Sequence, residues 1–156
     1  MGGYQTVVVG TDGSETSLRA VDRAAALARD ADATLVIACA YMPDRSDRYT
    51  LHPDELGEAK DILGDEAYQI VGSAPADDTL RAASERAAKV GAAKVEVVSV
   101  AGRPGESLRR VAQDHNADLL VVGNRGLNTL AGRIVGSVPL EVVRSAPIDV
   151  LIVHTT

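Results

Sequence analysis

The sequence contains no Phe and no Trp, and only four Tyr among its 156 residues. Single-stranded nucleic acids bind on aromatic platforms, so this composition disfavours that class of binding protein. The charge balance points the same way, because 22 Asp and Glu outnumber 16 Lys and Arg and phosphate contacts need basic side chains. We therefore expect no nucleic-acid partner.

Cysteine and long apolar runs are also scarce. Cys39 is the one cysteine, so the chain cannot form an internal disulfide, which agrees with a reducing cytoplasm. No apolar run is long enough for a transmembrane helix, and the first residues lack the layout of a signal peptide. We expect a cytoplasmic protein without a membrane partner, folded as a single domain over 1–156.

The apolar fraction consists mainly of 24 Ala and 20 Val. Five short apolar segments predict buried strands, and they cover Tyr4–Gly10, Ala33–Tyr41, Lys94–Val100, Asp118–Gly123 and Ile148–His154. The Lys94–Val100 segment carries charge and is expected nearer an edge of the sheet. Cys39, in the middle of its segment, is expected to be a small core residue.

Helical patterns lie between these segments. Ser14 is placed to cap one helix, Pro104 to begin another, and we expect two more over 76–90 and 137–145. Alternating strands and helices predict an α/β fold, an open five-stranded parallel sheet flanked by helices on both faces. The third helical pattern carries a charged stripe that we expect to face solvent; its members are Arg81, Glu85, Arg86 and Lys89.

Two of the predicted strands end in similar glycine-containing loops. The first runs into Gly10-Thr11-Asp12-Gly13-Ser14, and the fourth into Gly123-Asn124-Arg125-Gly126. Glycine allows a close approach of backbone to ligand and a positive φ. Ligands of open α/β sheets bind beyond the carboxyl ends of the strands, so both loops face one crevice if the two strands are neighbours.

A phosphate site is indicated further along the chain. Gly136-Ser137 opens the last predicted helix, and a helix N-terminus offers unpaired N–H groups and partial positive charge to a phosphate. Arg125 and Arg133 are nearby cations in this pattern. The Asp12 carboxylate does not suit phosphate, and it is better matched to ribose hydroxyls or an adenine edge.

The spacing Gly123-x2-Gly126-x9-Gly136-Ser137 resembles the nucleotide motif of the universal stress protein family. The likeness extends over nearly the whole chain, through VVVGTDGS, AGRP, ADLLVVGNRGL, GSVPLEVV and DVLIV. The chain is thus similar to the short, single-domain members that carry the ATP motif. The resemblance implies a Rossmann-like sheet with strand order 3-2-1-4-5.

The family resemblance also implies a ligand, an interface and a set of site residues. The ligand is an adenine nucleotide, either ATP or cyclic AMP or AMP, and a divalent cation can accompany ATP. The implied interface is a homodimer through the last strand, here Val150 to His154. The adenine and ribose end would lie against Gly10, Thr11, Asp12, Ala40 and Val122, and the ribose and phosphates against Gly123, Arg125, Gly126, Gly136, Ser137 and Val138.

The sequence contains no pattern typical of an enzyme. No nucleophile lies in a pattern with a base, no P-loop lysine is present, and the three His are too dispersed for a metal site. We expect a stress-response protein without catalytic residues, acting as a sensor, a nucleotide store or a regulator.

Two alternatives remain open. One is an adenylating enzyme of the ATP-pyrophosphatase type, because Thr11-Asp12-Gly13-Ser14 lies where that type has its Gly/Ser-rich loop. The other is a protein-interaction dimer that binds no ligand.

Overall fold

The computed structural model describes residues 3–43, 72–124, 142, 144 and 146–155. In this part of the chain five strands form one sheet, with all neighbours parallel and the order β3-β2-β1-β4-β5. The strands are β1 (Thr6–Gly10), β2 (Thr34–Tyr41), β3 (Lys94–Ala101), β4 (Leu119–Gly123) and β5 (Asp149–Val153). The predicted sheet and its strand order are confirmed, and β3 lies at an edge as expected.

Helices cover both faces of this sheet. They are α1 (Glu15–Ala31), α2 (Ser73–Val90) and α3 (Pro104–Asp114). Of the helix predicted over 137–145, the described residues 142 and 144 are helical, and the rest lies outside the described residues. None of the helices in the described ranges is both long and apolar enough to cross a membrane.

Alternate residues of each central strand enter two separate cores. In β1, Val7 and Val9 pack on the side of α1 and α2, whereas Val8 packs with Leu108 and Val111 of α3. All three valines are fully buried, as expected of a parallel strand covered on both faces. Ala and Val side chains fill these layers, so small residues bring the helices close to the sheet.

Capping groups set the ends of the elements. Ser14 adopts an extended conformation, and its hydroxyl accepts a hydrogen bond from the Ser17 N–H, which begins α1 as predicted. Pro104 occupies the first turn of α3, also as predicted. At the opposite end of the sheet, the Asp118 carboxylate accepts hydrogen bonds from the N–H groups of Gln5 and Thr6 and so joins β4 to the start of β1.

The charged stripe on α2 is not wholly solvated, and the prediction is wrong for Arg86. Its guanidinium makes two 2.7 Å hydrogen bonds to the Asp22 carboxylate of α1 and contacts Glu15 at 3.1 Å. These carboxylates raise the pKa of Arg86, and the guanidinium in turn holds the pKa of Glu15 below its usual range. Arg86 therefore joins α2 to α1.

Candidate functional site

The carboxyl ends of β1, β2 and β4 meet in the middle of the sheet. β1 pairs with β2 on one side and with β4 on the other. Gly10, where the predicted loop begins, therefore lies between Ala38 of β2 and the end of β4. The Thr11 N–H donates to the Ala38 carbonyl at 3.0 Å and extends this pairing beyond the strand. The two glycine-containing strand ends are neighbours, as the single-crevice hypothesis requires.

The structure brings six of the predicted site residues to this edge. Thr11 is buried and Asp12 is half-buried at the end of β1, and Ala40 is half-buried near the end of β2. Val122 is buried and Gly123 half-buried at the end of β4. Together with Gly10, these residues lie at the carboxyl ends of the strands where the strand order reverses. This is the position at which open α/β sheets bind ligands.

The turn from β1 into α1 fixes Asp12 at the start of the helix. Its carboxylate oxygen Oδ1 accepts from the Ser14 N–H at 2.9 Å, and the Gly13 N–H donates to the Thr11 hydroxyl at 3.1 Å. Gly13 has φ of 84°, a left-handed conformation that favours glycine. The side chain of Thr79 in α2 lies close to this turn, 3.2 Å from where a Cβ on Gly13 would be.

The strand-end glycines do not have the positive φ that the sequence allowed. Among the described glycines of the two loops, Gly13 has a positive φ, whereas Gly10 and Gly123 do not. Gly10 is instead closely packed, because a Cβ there would lie 2.8 Å from Cδ1 of Leu108 in α3, and the Leu108 side chain would have to shift. At Gly123 the nearest atom would be Cγ2 of Thr155 at 3.5 Å, an ordinary contact.

The β1–β2 side of the crevice is acidic. Burial, and to a smaller extent the negative charges of Asp12 and Asp77, raise the pKa of the Cys39 thiol to about 12. Cys39 is the buried core residue that the sequence predicted, and a thiol with this pKa is not a nucleophile at neutral pH. The Asp12 carboxylate at the end of β1 favours hydrogen-bond donors such as hydroxyl and amino groups over phosphate.

The end of β4 is held by a buried polar cluster that sequence reasoning missed. Oδ1 of Asn124 accepts from the backbone N–H of Thr155 at 2.9 Å and from its hydroxyl at 3.0 Å. The Asn124 N–H donates to the Val153 carbonyl, and Arg19 of α1 donates to the Thr155 carbonyl at 2.8 Å. Asn124 and Thr155 are 31 positions apart, so no local pattern connects them.

The other predicted site residues lie outside the described residues, and their role stays a prediction: Arg125, Gly126, Gly136, Ser137 and Val138. Sequence reasoning also missed Ser17, although its hydroxyl contacts the turn at Asp12. The spacing Ser14-x2-Ser17 is the signal for it in the sequence. Across the described ranges no group of three or more His, Cys, Asp or Glu side chains could hold a metal ion.

Comparison with known proteins gives consistent matches. A family model described as "Universal stress protein family" matches residues 3–154. The chain is 53% identical over 156 residues to universal stress protein Rv1636 of Mycobacterium tuberculosis, with both chains fully covered. It also resembles a crystal structure of a universal stress protein in complex with cAMP, at 44% identity and a TM-score of 0.75, covering 99% of this chain and 100% of that one.

A third relative supports the fold alone. It is the universal stress protein from Archaeoglobus fulgidus in complex with dAMP, at 21% identity and a TM-score of 0.64, with 97% of this chain and 98% of that chain covered. Its similarity agrees with the fold found here.

Proposed function

The chain belongs to the universal stress protein family, and from this premise we propose that it binds an adenine nucleotide at the carboxyl ends of β1, β2 and β4. The observation that carries the proposal is the 44% identical structure in complex with cAMP, which covers 99% of this chain. The position of the crevice, where the strand order reverses, supports the same ligand site.

The charge distribution gives the nucleotide an orientation. The adenine and ribose lie on the acidic side, where Asp12 and Ala40 offer a carboxylate and a strand end. The phosphates extend toward the β4 side and the motif from Gly123 through Ser137, in which Arg125 and Arg133 are the cations. ATP, AMP and cyclic AMP share the adenosine part, and a divalent cation accompanies ATP in this proposal.

The protein acts by binding, as a cytoplasmic sensor, nucleotide store or regulator, and not as an enzyme. The hydroxyls of Thr11, Ser14 and Ser17 near the described part of the crevice hydrogen-bond to one another and to backbone. A nucleophilic hydroxyl needs a general base, and these contacts provide none. The Cys39 thiol is buried and its pKa is raised, so it is unsuited to attack.

The homodimer forms through the last strand, Val150 to His154. β5 has a neighbour on one side in the described sheet, β4, and its Ile152 is 38% exposed. A strand edge with an exposed large apolar residue is suited to pairing with a second copy. Sedimentation velocity tests this: Ile152→Glu is expected to sediment as a monomer, and a wild-type monomer at all concentrations contradicts the dimer.

A thermal-shift series tests the nucleotide site. ATP, AMP and cyclic AMP are compared with GMP, and a ligand at about 100 times its Kd stabilises by about 2.7 kcal/mol, which raises Tm by about 5–10 °C in a chain of this size. Gly126→Val is expected to remove the shift. Gly3→Ala, where a Cβ meets Ala31 at 3.6 Å, is the control that retains it. Equal shifts in both variants would refute the assigned site.

A further inference from the structure

Ser17 lies one turn into α1, and its hydroxyl contacts three residues of the preceding turn. Oγ donates to the Ser14 carbonyl at 2.9 Å and accepts from the Asp12 N–H at 3.3 Å. It also pairs with the Thr11 hydroxyl at 2.8 Å. One side chain of the helix thus holds the backbone on both sides of Asp12.

The directions of these hydrogen bonds follow from the number of protons. A serine hydroxyl has one proton, and that of Ser17 is committed to the Ser14 carbonyl. The Thr11 hydroxyl therefore donates to Ser17, and its own oxygen accepts from the Gly13 N–H at 3.1 Å. Thr11 is only 6% exposed, so water competes little for these bonds.

This hydrogen-bonded group ends at the Asp12 carboxylate. Ser14 N–H donates to Oδ1 of Asp12, and the Ser14 carbonyl is the group that Ser17 holds. The orientation of the carboxylate therefore depends on the position of Ser14, and the position of the Asp12 backbone depends on Ser17.

We infer that Ser17 is a positioning residue for the nucleotide site and that it acts by fixing the Asp12 carboxylate for the donor groups of an adenosine. This inference rests on the proposed function. It is separable from helix capping, because the cap uses the Ser17 backbone N–H and the Ser14 hydroxyl, and neither is removed in Ser17→Ala.

Calorimetric titration with cyclic AMP tests the inference. Ser17→Ala is expected to weaken binding by roughly fivefold, the effect of one neutral hydrogen bond. Ser17→Thr keeps the hydroxyl and is expected to bind within about twofold of wild type. Ser84 is a half-buried residue of α2. Ser84→Ala makes the same chemical change away from Asp12 and is the matched control.

Two further measurements separate positioning from general loosening. In an Asp12→Ala background, Ser17→Ala is expected to have no further effect, because Ser17 acts through the missing carboxylate. Amide hydrogen exchange of Asp12 in Ser17→Ala is expected to be faster by about tenfold, with the Val8 amide unchanged.

The outcomes distinguish the two proposals. If wild type binds no nucleotide, the proposed function fails, and the exchange rates of the Asp12 amide still decide whether Ser17 holds this turn. If wild type binds and Ser17→Ala binds equally well, or loses the same factor without Asp12, the positioning role is overturned.

Discussion

Gly10 provides the sharpest stability test, because a single methyl group would meet a buried side chain there. A Cβ at Gly10 would lie 2.8 Å and 2.9 Å from the two methyl carbons of Leu108, whereas nonbonded carbons prefer about 3.5–4.0 Å. Leu108 is 4% exposed and cannot turn into solvent. Overpacking of this kind costs about 1–3 kcal/mol, so Gly10→Ala is expected to lower Tm by about 2–12 °C.

Three further variants make this prediction specific. Gly123→Ala adds the same methyl group at a strand end where the nearest atom is 3.5 Å away, and it is expected to change stability by less than about 0.5 kcal/mol. Leu108→Ala costs about 2–5 kcal/mol by itself, but adding Gly10→Ala to it should cost little more. Guanidinium unfolding measures wild type and the four variants. Equal stability of Gly10→Ala and wild type, or strict additivity in the double variant, would refute the packing role.

Three other predictions concern contacts away from Gly10. Arg86→Ala should cost about 1 kcal/mol in urea unfolding, because the paired bonds to Asp22 are only partly screened, and 1 M NaCl should reduce that loss; a loss unaffected by salt contradicts it. Asn124→Ala leaves the buried donors of Thr155 unpaired and should cost about 2–3 kcal/mol, whereas Asn124→Asp retains the acceptor and should cost less. Native Cys39 should resist iodoacetamide at pH 8 and react once unfolded. The pKa of the Cys39 thiol in the folded protein is raised to about 12. The stability that the thiol contributes is therefore present below its pKa in the unfolded chain and is lost as pH rises from there toward 12. A Cys39→Ala variant should lack this loss of stability.

The sheet could be predicted from the sequence because its strands have a strong local signal. Segments such as TVVVG are apolar on both faces, which is typical of the strands of a covered parallel sheet. The helix-start signals at Ser14 and Pro104 are equally local, and both predictions are confirmed. Strand ends shifted by one or two residues, since the limits of pairing depend on the neighbouring strand and not on the segment itself.

The contacts between distant elements could not be predicted in the same way. Helical periodicity placed Arg86 on a charged face, but it does not say that α1 brings Asp22 within 2.7 Å of it. The sequence predicts Gly10 as part of a ligand-binding loop. Its close packing against Leu108 could not be predicted, because it depends on how close α3 lies to the sheet. For the candidate site, the sequence predicted that Asp12 and the ends of β1 and β4 lie close together. It did not predict the contacts of the Ser17 hydroxyl with the turn at Asp12.

Mapping of cyclic AMP binding by amide chemical shifts tests the central claim most directly. The account predicts that the perturbed amides cluster at the carboxyl ends of the strands, at 10–12, near 40 and at 122–124. The amides of Tyr4 and Asp149, which share a hydrogen bond at the opposite end of the sheet, should not move. Absence of perturbation at saturating ligand, or perturbation centred on Tyr4 and Asp149, would contradict the nucleotide site.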